Sequence, residues 1–126
     1  MSTDQLVKTI TLPAAADYSS YQYCCMASVA GVATLVSSQG YDGLGILYND
    51  PDAAGKDAVI ALLNGGGVIK VMLGATLAAD ALVSPEATTG RMGAATTGDY
   101  VWGRLKTGGA DGDIAEMYPL GQYVSA

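Results

Sequence analysis

Ile69-Lys70-Val71-Met72-Leu73-Gly74-Ala75-Thr76-Leu77-Ala78-Ala79-Asp80 repeats, with one residue inserted, the pattern of Val7-Lys8-Thr9-Ile10-Thr11-Leu12-Pro13-Ala14-Ala15-Ala16-Asp17. The echo continues downstream. Tyr23-Cys24-Cys25-Met26 is answered by Ala81-Leu82-Val83, and Gly55-Lys56-Asp57-Ala58-Val59-Ile60-Ala61 by Gly112-Asp113-Ile114-Ala115-Glu116-Met117. Between these blocks Gly31, Gly40, Gly45 and Gly55 are spaced by 9, 5 and 10 residues, and Gly90, Gly98, Gly103 and Gly112 by 8, 5 and 9. Single-residue slips reconcile the two series. The chain reads as an internal duplication, and whatever structure one half adopts the other should repeat.

Each half reads as about four short strands. β-Branched residues dominate 7–12 and 68–73, and the runs are too short for helices. Gly43-Leu44-Gly45-Ile46-Leu47-Tyr48 and Tyr100-Val101-Trp102-Gly103-Arg104-Leu105 are strands whose interior glycine implies a bulge, a bend or a close backbone approach. Asn49-Asp50-Pro51-Asp52 and Thr107-Gly108-Gly109-Ala110-Asp111-Gly112 carry turn chemistry and lead into the last strand of each half. The tract 75–82 and its counterpart, which contains Pro13 and Tyr18-Ser19-Ser20-Tyr21, read as loops with at most a short helix. A lone four-strand sheet would leave its edges and one face bare, so two such halves imply a rolled or stacked arrangement. The expected fold is all-β: a small barrel- or sandwich-like domain built from two quasi-equivalent β halves, with little helix. Within one domain of 126 residues the expected organisation is a flexible N-terminal arm at 1–5, a first half at 6–62, a Gly-rich connector at 63–67, a second half at 68–118 and a C-terminal tail at 119–126.

Composition narrows function mainly by exclusion. Half of the residues are apolar and 14% are charged, with 12 acids against 6 bases and a net charge of -6. The bases Lys8, Lys56, Lys70, Arg91, Arg104 and Lys106 are scattered along the chain, so no basic stretch offers itself to a phosphate backbone or an anionic membrane. No apolar run is long enough to cross a bilayer, and no secretory signal follows Met1. Such low charge density is unusual for a free monomer and points to burial in an oligomer or on a larger surface. The adjacent Cys24 and Cys25 are poorly placed to bridge each other and read as small buried or half-buried thiols of a chain made in a reducing cytosol.

The catalytic options are thin. With no histidine, serine triads and His-based zinc sites are out of reach, and two adjacent cysteines lack the spacing of a metal knuckle or redox motif. Asp50 with Asp52 and Asp111 with Asp113 have the spacing of a weak cation site, but turn and cap carboxylates are the favoured reading, because no closing Glu completes a calcium loop. Asn64-Gly65-Gly66-Gly67 would need to open a helix to cradle phosphate, and a strand follows it. The chain is expected to be no enzyme and to hold no cofactor and no metal. Eight tyrosines and one tryptophan with no phenylalanine shift the aromatic content toward residues common at interfaces. Tyr18, Tyr21 and Tyr23 are therefore candidate contact residues, weighed against ordinary packing; Trp102 reads as core.

Taken together, Lys8-Thr9-Ile10-Thr11-Leu12, Gly43 through Gly55 with its Asn49-Asp50-Pro51-Asp52 turn, Ile69 through Ala75, and Gly98-Asp99-Tyr100-Val101-Trp102-Gly103-Arg104-Leu105 resemble the head-decoration, or capsid cement, proteins of tailed phages. The resemblance spans nearly the whole chain and lies in glycine, Asn-x-Pro and Ala-rich turn patterns. The chain departs from it at Tyr23-Cys24-Cys25, where more ordinary apolar residues are usual, and at Asp80-Ala81, where a Gly is common. The resemblance implies a structural virion protein on the outside of an icosahedral head, with the major capsid protein as partner, a homotrimeric state, and no direct contact with nucleic acid or membrane. The polar start Ser2, Thr3, Asp4, Gln5 and Leu6 is the arm expected to order on a neighbour. Two other readings are weighed. A carbohydrate- or host-binding β module would use the tyrosines as sugar platforms. A biotinyl- or lipoyl-like carrier fold would need a cofactor lysine, which neither 64–67 nor 84–89 supplies.

Overall fold

The computed structural model describes residues 8–41, 43–63, 67–86 and 89–124. The β-branched and apolar runs form ten strands among them, and no helix is present there: β1 (Thr9–Pro13), β2 (Cys25–Val29), β3 (Val32–Leu35), β4 (Gly45–Leu47), β5 (Asp57–Leu62), β6 (Ile69–Met72), β7 (Leu82–Pro85), β8 (Met92–Ala94), β9 (Tyr100–Leu105) and β10 (Ile114–Val124). They make two five-stranded antiparallel sheets, ordered β1-β5-β4-β2-β3 and β6-β10-β9-β7-β8. Replacing each strand of the first order by the one five places later gives the second. In each half a parallel bridge, Ala14 to Ala33 and Leu73 to Met92, joins the end of the first strand to the third, so the two edge strands of each sheet meet. Edge backbone groups that would otherwise face solvent are thereby engaged.

The duplication extends to single backbone torsions. Tyr23 and Asp80, each two residues ahead of the second strand of its half, both lie at φ 71°. Their N–H groups donate to Leu47 O at 2.6 Å and Leu105 O at 2.8 Å. Gly55 and Gly112 open the last strand of each half at φ 87° and 89°, a conformation that costs glycine little. Their N–H groups donate to Ala14 O and Leu73 O. Gly45 and Gly103 serve a different purpose: a Cβ there would collide with the Ala61 carbonyl in one half and with Met117 and the Tyr118 carbonyl in the other.

The glycine frame of the sequence thus coincides with the structural one, whereas the frame of the first strands does not. Ala14 and Leu73 hold matching places, so Ile10 rather than Val7 corresponds to Ile69. From these positions to Tyr23 and Asp80 there are 9 residues in the first half and 7 in the second, and that length difference disguises the frame. The expectation of four strands per half is also one short. β3 and β8 are only four and three residues long, too brief to announce themselves by alternation. The stretch 119–126, expected as a tail, is β-strand through Val124, because β10 resumes pairing with β9 at Tyr123–Val101 and Val124–Tyr100 after a register shift. The arm 1–5 lies outside the described residues.

Packing distinguishes the halves. Ala14, Tyr18, Met26, Ala33, Leu47, Ala58 and Ile60 form a core inside the first sheet. Cys25, Ala27, Val36, Ile46, Ala61 and Leu63 turn the other way and join Ile69, Val71, Leu73, Val83, Met92, Trp102, Leu105, Ala115 and Met117 in a larger cluster shared by both halves. β4 and the first three residues of β2, Cys25 to Ala27, are therefore buried on both faces, and their apolar residues run without alternation.

The two kinds of glycine should respond differently to the same change. Gly45→Ala forces a methyl against backbone and should cost about 3 kcal/mol, at the upper end for overpacking. Gly55→Ala meets no atom within 4 Å and should cost only about 1–2 kcal/mol of left-handed strain. Urea unfolding of the two variants separates the cases; equal losses would contradict the close-approach role of Gly45.

Candidate contact surface

The outer face of the second sheet carries the most exposed apolar row among the described residues. Along β10 the side chains alternate: Ile114 is 52% exposed, Tyr118 42% and Leu120 41%, while Ala115 and Met117 are buried. Alternation follows from the pleat, which sends neighbours to opposite faces. Antiparallel pairing sets Met72 opposite Ile114, Lys70 opposite Glu116 and Arg104 opposite Tyr118. Lys106 reaches Glu116 across 3.8 Å, and Arg104 Nη1 donates to Asp80 O at 3.1 Å. Three of the six bases, scattered in sequence, thus border one apolar row. The row was missed in the sequence because 119–126 was read as a tail; the period-two pattern Ile114, Glu116, Tyr118, Leu120 was its signal.

The sequence-nominated tyrosines divide between two places. Tyr18 is buried, its ring edge-on to Tyr21 at 6.0 Å, and its hydroxyl oxygen accepts the Leu35 N–H at 3.1 Å. Burial in the first core, not a surface, claims Tyr18. Tyr21 is half-buried beside it. Tyr23 is also half-buried but stacks edge-on against Tyr48 at 5.5 Å, and the Tyr48 hydroxyl accepts the Lys70 N–H at 2.6 Å, tying the halves together. Burial pushes the Tyr48 phenol above its ordinary value. Ser2, Thr3, Asp4, Gln5 and Leu6 lie outside the described residues.

Three of the four turn carboxylates, Asp52, Asp111 and Asp113, have partners. Asp52 pairs with Lys56 at 3.2 Å, Asp111 with Arg91 at 2.9 Å, and Asp113 Oδ2 accepts the Ala110 N–H at 2.8 Å. No group of three or more metal-ligating side chains occurs among the described residues. Cys24 and Cys25 are free and buried; desolvation raises Cys24 to about 11, against a smaller opposing pull from Arg91, and holds Cys25 well above the ordinary thiol value. Such thiols are inert packing residues.

Asp99 is a junction between the halves that the sequence gave no reason to single out. Its Oδ2 accepts the Thr96 N–H and Oγ–H at 3.0 Å each, Ser84 Oγ–H at 3.3 Å and Gln39 Nε2–H at 3.5 Å. Next to it Gly40 N–H donates to Pro85 O, and Tyr100 N–H to Gly40 O, both at 2.9 Å. The Thr96 backbone donor, foremost among these, holds the Asp99 carboxyl below its ordinary value of 3.8.

No family model and no curated protein matches the chain. Among solved structures it is similar to the head fiber gp8.5 N base of bacteriophage phi29, with a TM-score of 0.72 over 96% of this chain and 100% of that chain at 11% sequence identity. At that identity what the two share is the fold.

Two measurements check these assignments. A carboxyl with a lowered folded value stabilises fully above its ordinary value and loses that contribution as the pH falls through the lower one. The urea midpoint should therefore fall below about pH 4, and less steeply in Asp99→Asn; an unchanged slope would remove Asp99 from the junction. Native protein at pH 8 should leave a disulfide reagent unreacted, and both thiols should appear on unfolding; fast reaction in the native state would contradict their burial.

Proposed function

We propose that this chain is a structural component of a tailed-phage virion that binds the outside of the head and reinforces it. The observation that carries the reading is a fold shared over nearly the full length of both chains with the base of a phage head fiber. Composition supports it. Half of the residues are apolar and 14% charged, a surface suited to standing on a larger assembly. A protein that binds the closed shell but not its separate subunits stabilises the shell by mass action, with no chemistry required.

The face proposed to meet the major capsid protein is the β6–β10–β9 surface, where Ile114, Tyr118 and Leu120 supply apolar area and Lys70, Arg104 and Lys106 supply a charged rim. An apolar centre with a polar margin is the usual anatomy of a specific interface. Association as a homotrimer is part of the proposal, since three copies would multiply a modest footprint through avidity. The arm at 1–5 is proposed as a second point of reach.

Co-sedimentation with emptied heads tests the reading. The wild-type chain should bind saturably, and the double variant Tyr118→Asp, Leu120→Asp should bind at least about tenfold more weakly with its Trp102 emission unchanged. Absence of saturable binding by the wild type would overturn the virion assignment; full binding by the variant would overturn the choice of face.

A further inference from the structure

The turn between β2 and β3 and the turn between β7 and β8 hold the same place in the repeat but meet different surroundings. Ser28 pairs with Ala33 as Pro85 pairs with Met92, and one step further out Val29 pairs with Val32 as the Glu86 N–H donates to Arg91 O at 2.7 Å. Gly31, at φ 80°, corresponds to Gly90, at φ 70°. In the second half this turn is a clamp. Its charged stem is tied to its own half: Glu86 lies over Gly74 and Gly93, and Arg91 pairs with Asp111 at 2.9 Å. Its tip reaches the first half, where Gly90 O accepts the Cys25 N–H at 2.6 Å and a Cβ on Gly90 would overlap the Leu35 side chain and crowd Val36 O. A turn in this position therefore grips a neighbouring sheet where its second strand starts and its third strand finishes.

The turn of the first half grips no described residue. Ser28, Val29, Ala30 and Gly31 are exposed, Val29 to 53%, and a Cβ on Gly31 would meet no described atom within 4 Å. Its stem is Val29 and Val32 where the other half has Glu86 and Arg91, and no charged residue occurs from Tyr18 to Tyr41. Ala30 holds φ 53°, a left-handed conformation that strains any residue with a Cβ.

The seat is repeated as well. The Ala95 N–H donates to Leu82 O as the Val36 N–H donates to Cys25 O, both at 3.0 Å, and Ala94 pairs with Val83 as Leu35 pairs with Met26. Leu82, Ala94 and Ala95 thus stand where Cys25, Leu35 and Val36 stand in the first half, but Ala94 is exposed and the other two are half-buried. Bulk is exchanged between the two cases. Within the chain a glycine tip meets leucine and valine; a tip flanked by valines fits a seat of alanines, which keeps the packed volume similar.

From this repetition we infer that the Val29 tip of one chain seats on Leu82, Ala94 and Ala95 of a second copy, continuing between chains the contact that Gly90 makes within one. Tip and seat belong to opposite halves, so the contact is head to tail, and successive copies must close into a ring or run on. This contact rests on the association of copies proposed above and supplies its interface. β9 separates β7 and β8 from β10 in the sheet order, so the β10 row stays available to the head.

Sedimentation equilibrium of the full-length chain tests the contact. The mass of the wild type should rise with concentration toward about three chains. Val29→Asp and Ala94→Asp should each weaken that association about tenfold or more, with Trp102 emission unchanged. Mixing the two variants should restore one contact per pair, with the tip from the Ala94→Asp chain and the seat from the Val29→Asp chain, and so give a mass of two chains. Val29→Ser keeps the test valid if Val29→Asp does not fold. A wild type that stays a single chain at every concentration would overturn the association and this contact together, leaving head binding to co-sedimentation. A trimer that either variant leaves intact would overturn the contact alone. A wild-type plateau at two chains, or no pairing in the mixture, would overturn the head-to-tail arrangement.

Discussion

Trp102 is wholly buried between the halves, and its indole N–H must find an acceptor there, because an unpaired polar group in such a place costs about 1–3 kcal/mol. It finds the Tyr41 carbonyl, sixty-one residues away in sequence, at 2.9 Å. Gly43 makes the approach feasible: a Cβ at that position would overlap the far edge of the indole ring. Around this contact the Cys25 N–H donates to Gly90 O at 2.6 Å and the Met72 N–H to Tyr23 O at 2.9 Å, so the shared cluster is bordered by backbone bonds between the halves. The first sheet has a core of its own, but the larger cluster takes residues from both halves. Neither half can bury its apolar surface alone.

That constraint explains why a repeated topology carries two different surfaces. The same strand order, the same left-handed positions and the same burial of the central strands, β2 and β4 in one half and β7 and β9 in the other, recur, yet the outer side of β10 opens to solvent from Ile114 to Leu120. The central strands carry consecutive buried residues in both halves, whereas β10 keeps a pleated alternation. Tyr41 belongs to the first half, but its carbonyl is held by Trp102 of the second.

Much of the fold was legible because its signals are local. Glycines at 45, 55, 103 and 112 are required by close backbone approach or by positive φ, and both demands act on a single residue whatever surrounds it. Asn49 likewise behaves as a turn residue should, donating from Nδ2 to Asp57 O at 2.8 Å and accepting the Val59 N–H at 2.9 Å. β3 and β8 were not legible: strands of three or four residues exist because neighbours pair with them, not because their own sequence demands it. Of the tyrosines nominated from sequence, burial assigned Tyr18 to packing, and it left exposed Tyr41 and Tyr118, which the sequence did not single out.

By itself the sequence determined an all-β chain written twice and lacking histidine, because residue type, turn chemistry and spacing are properties of neighbours along the chain. Only the tertiary structure decided which surfaces face outward. Lys70, Arg104 and Lys106 come to one border, and Tyr41 meets Trp102, through pairings between strands and loops far apart in sequence. Contact surfaces are sums over such long-range pairings, and register, not composition, selects which side chains they expose.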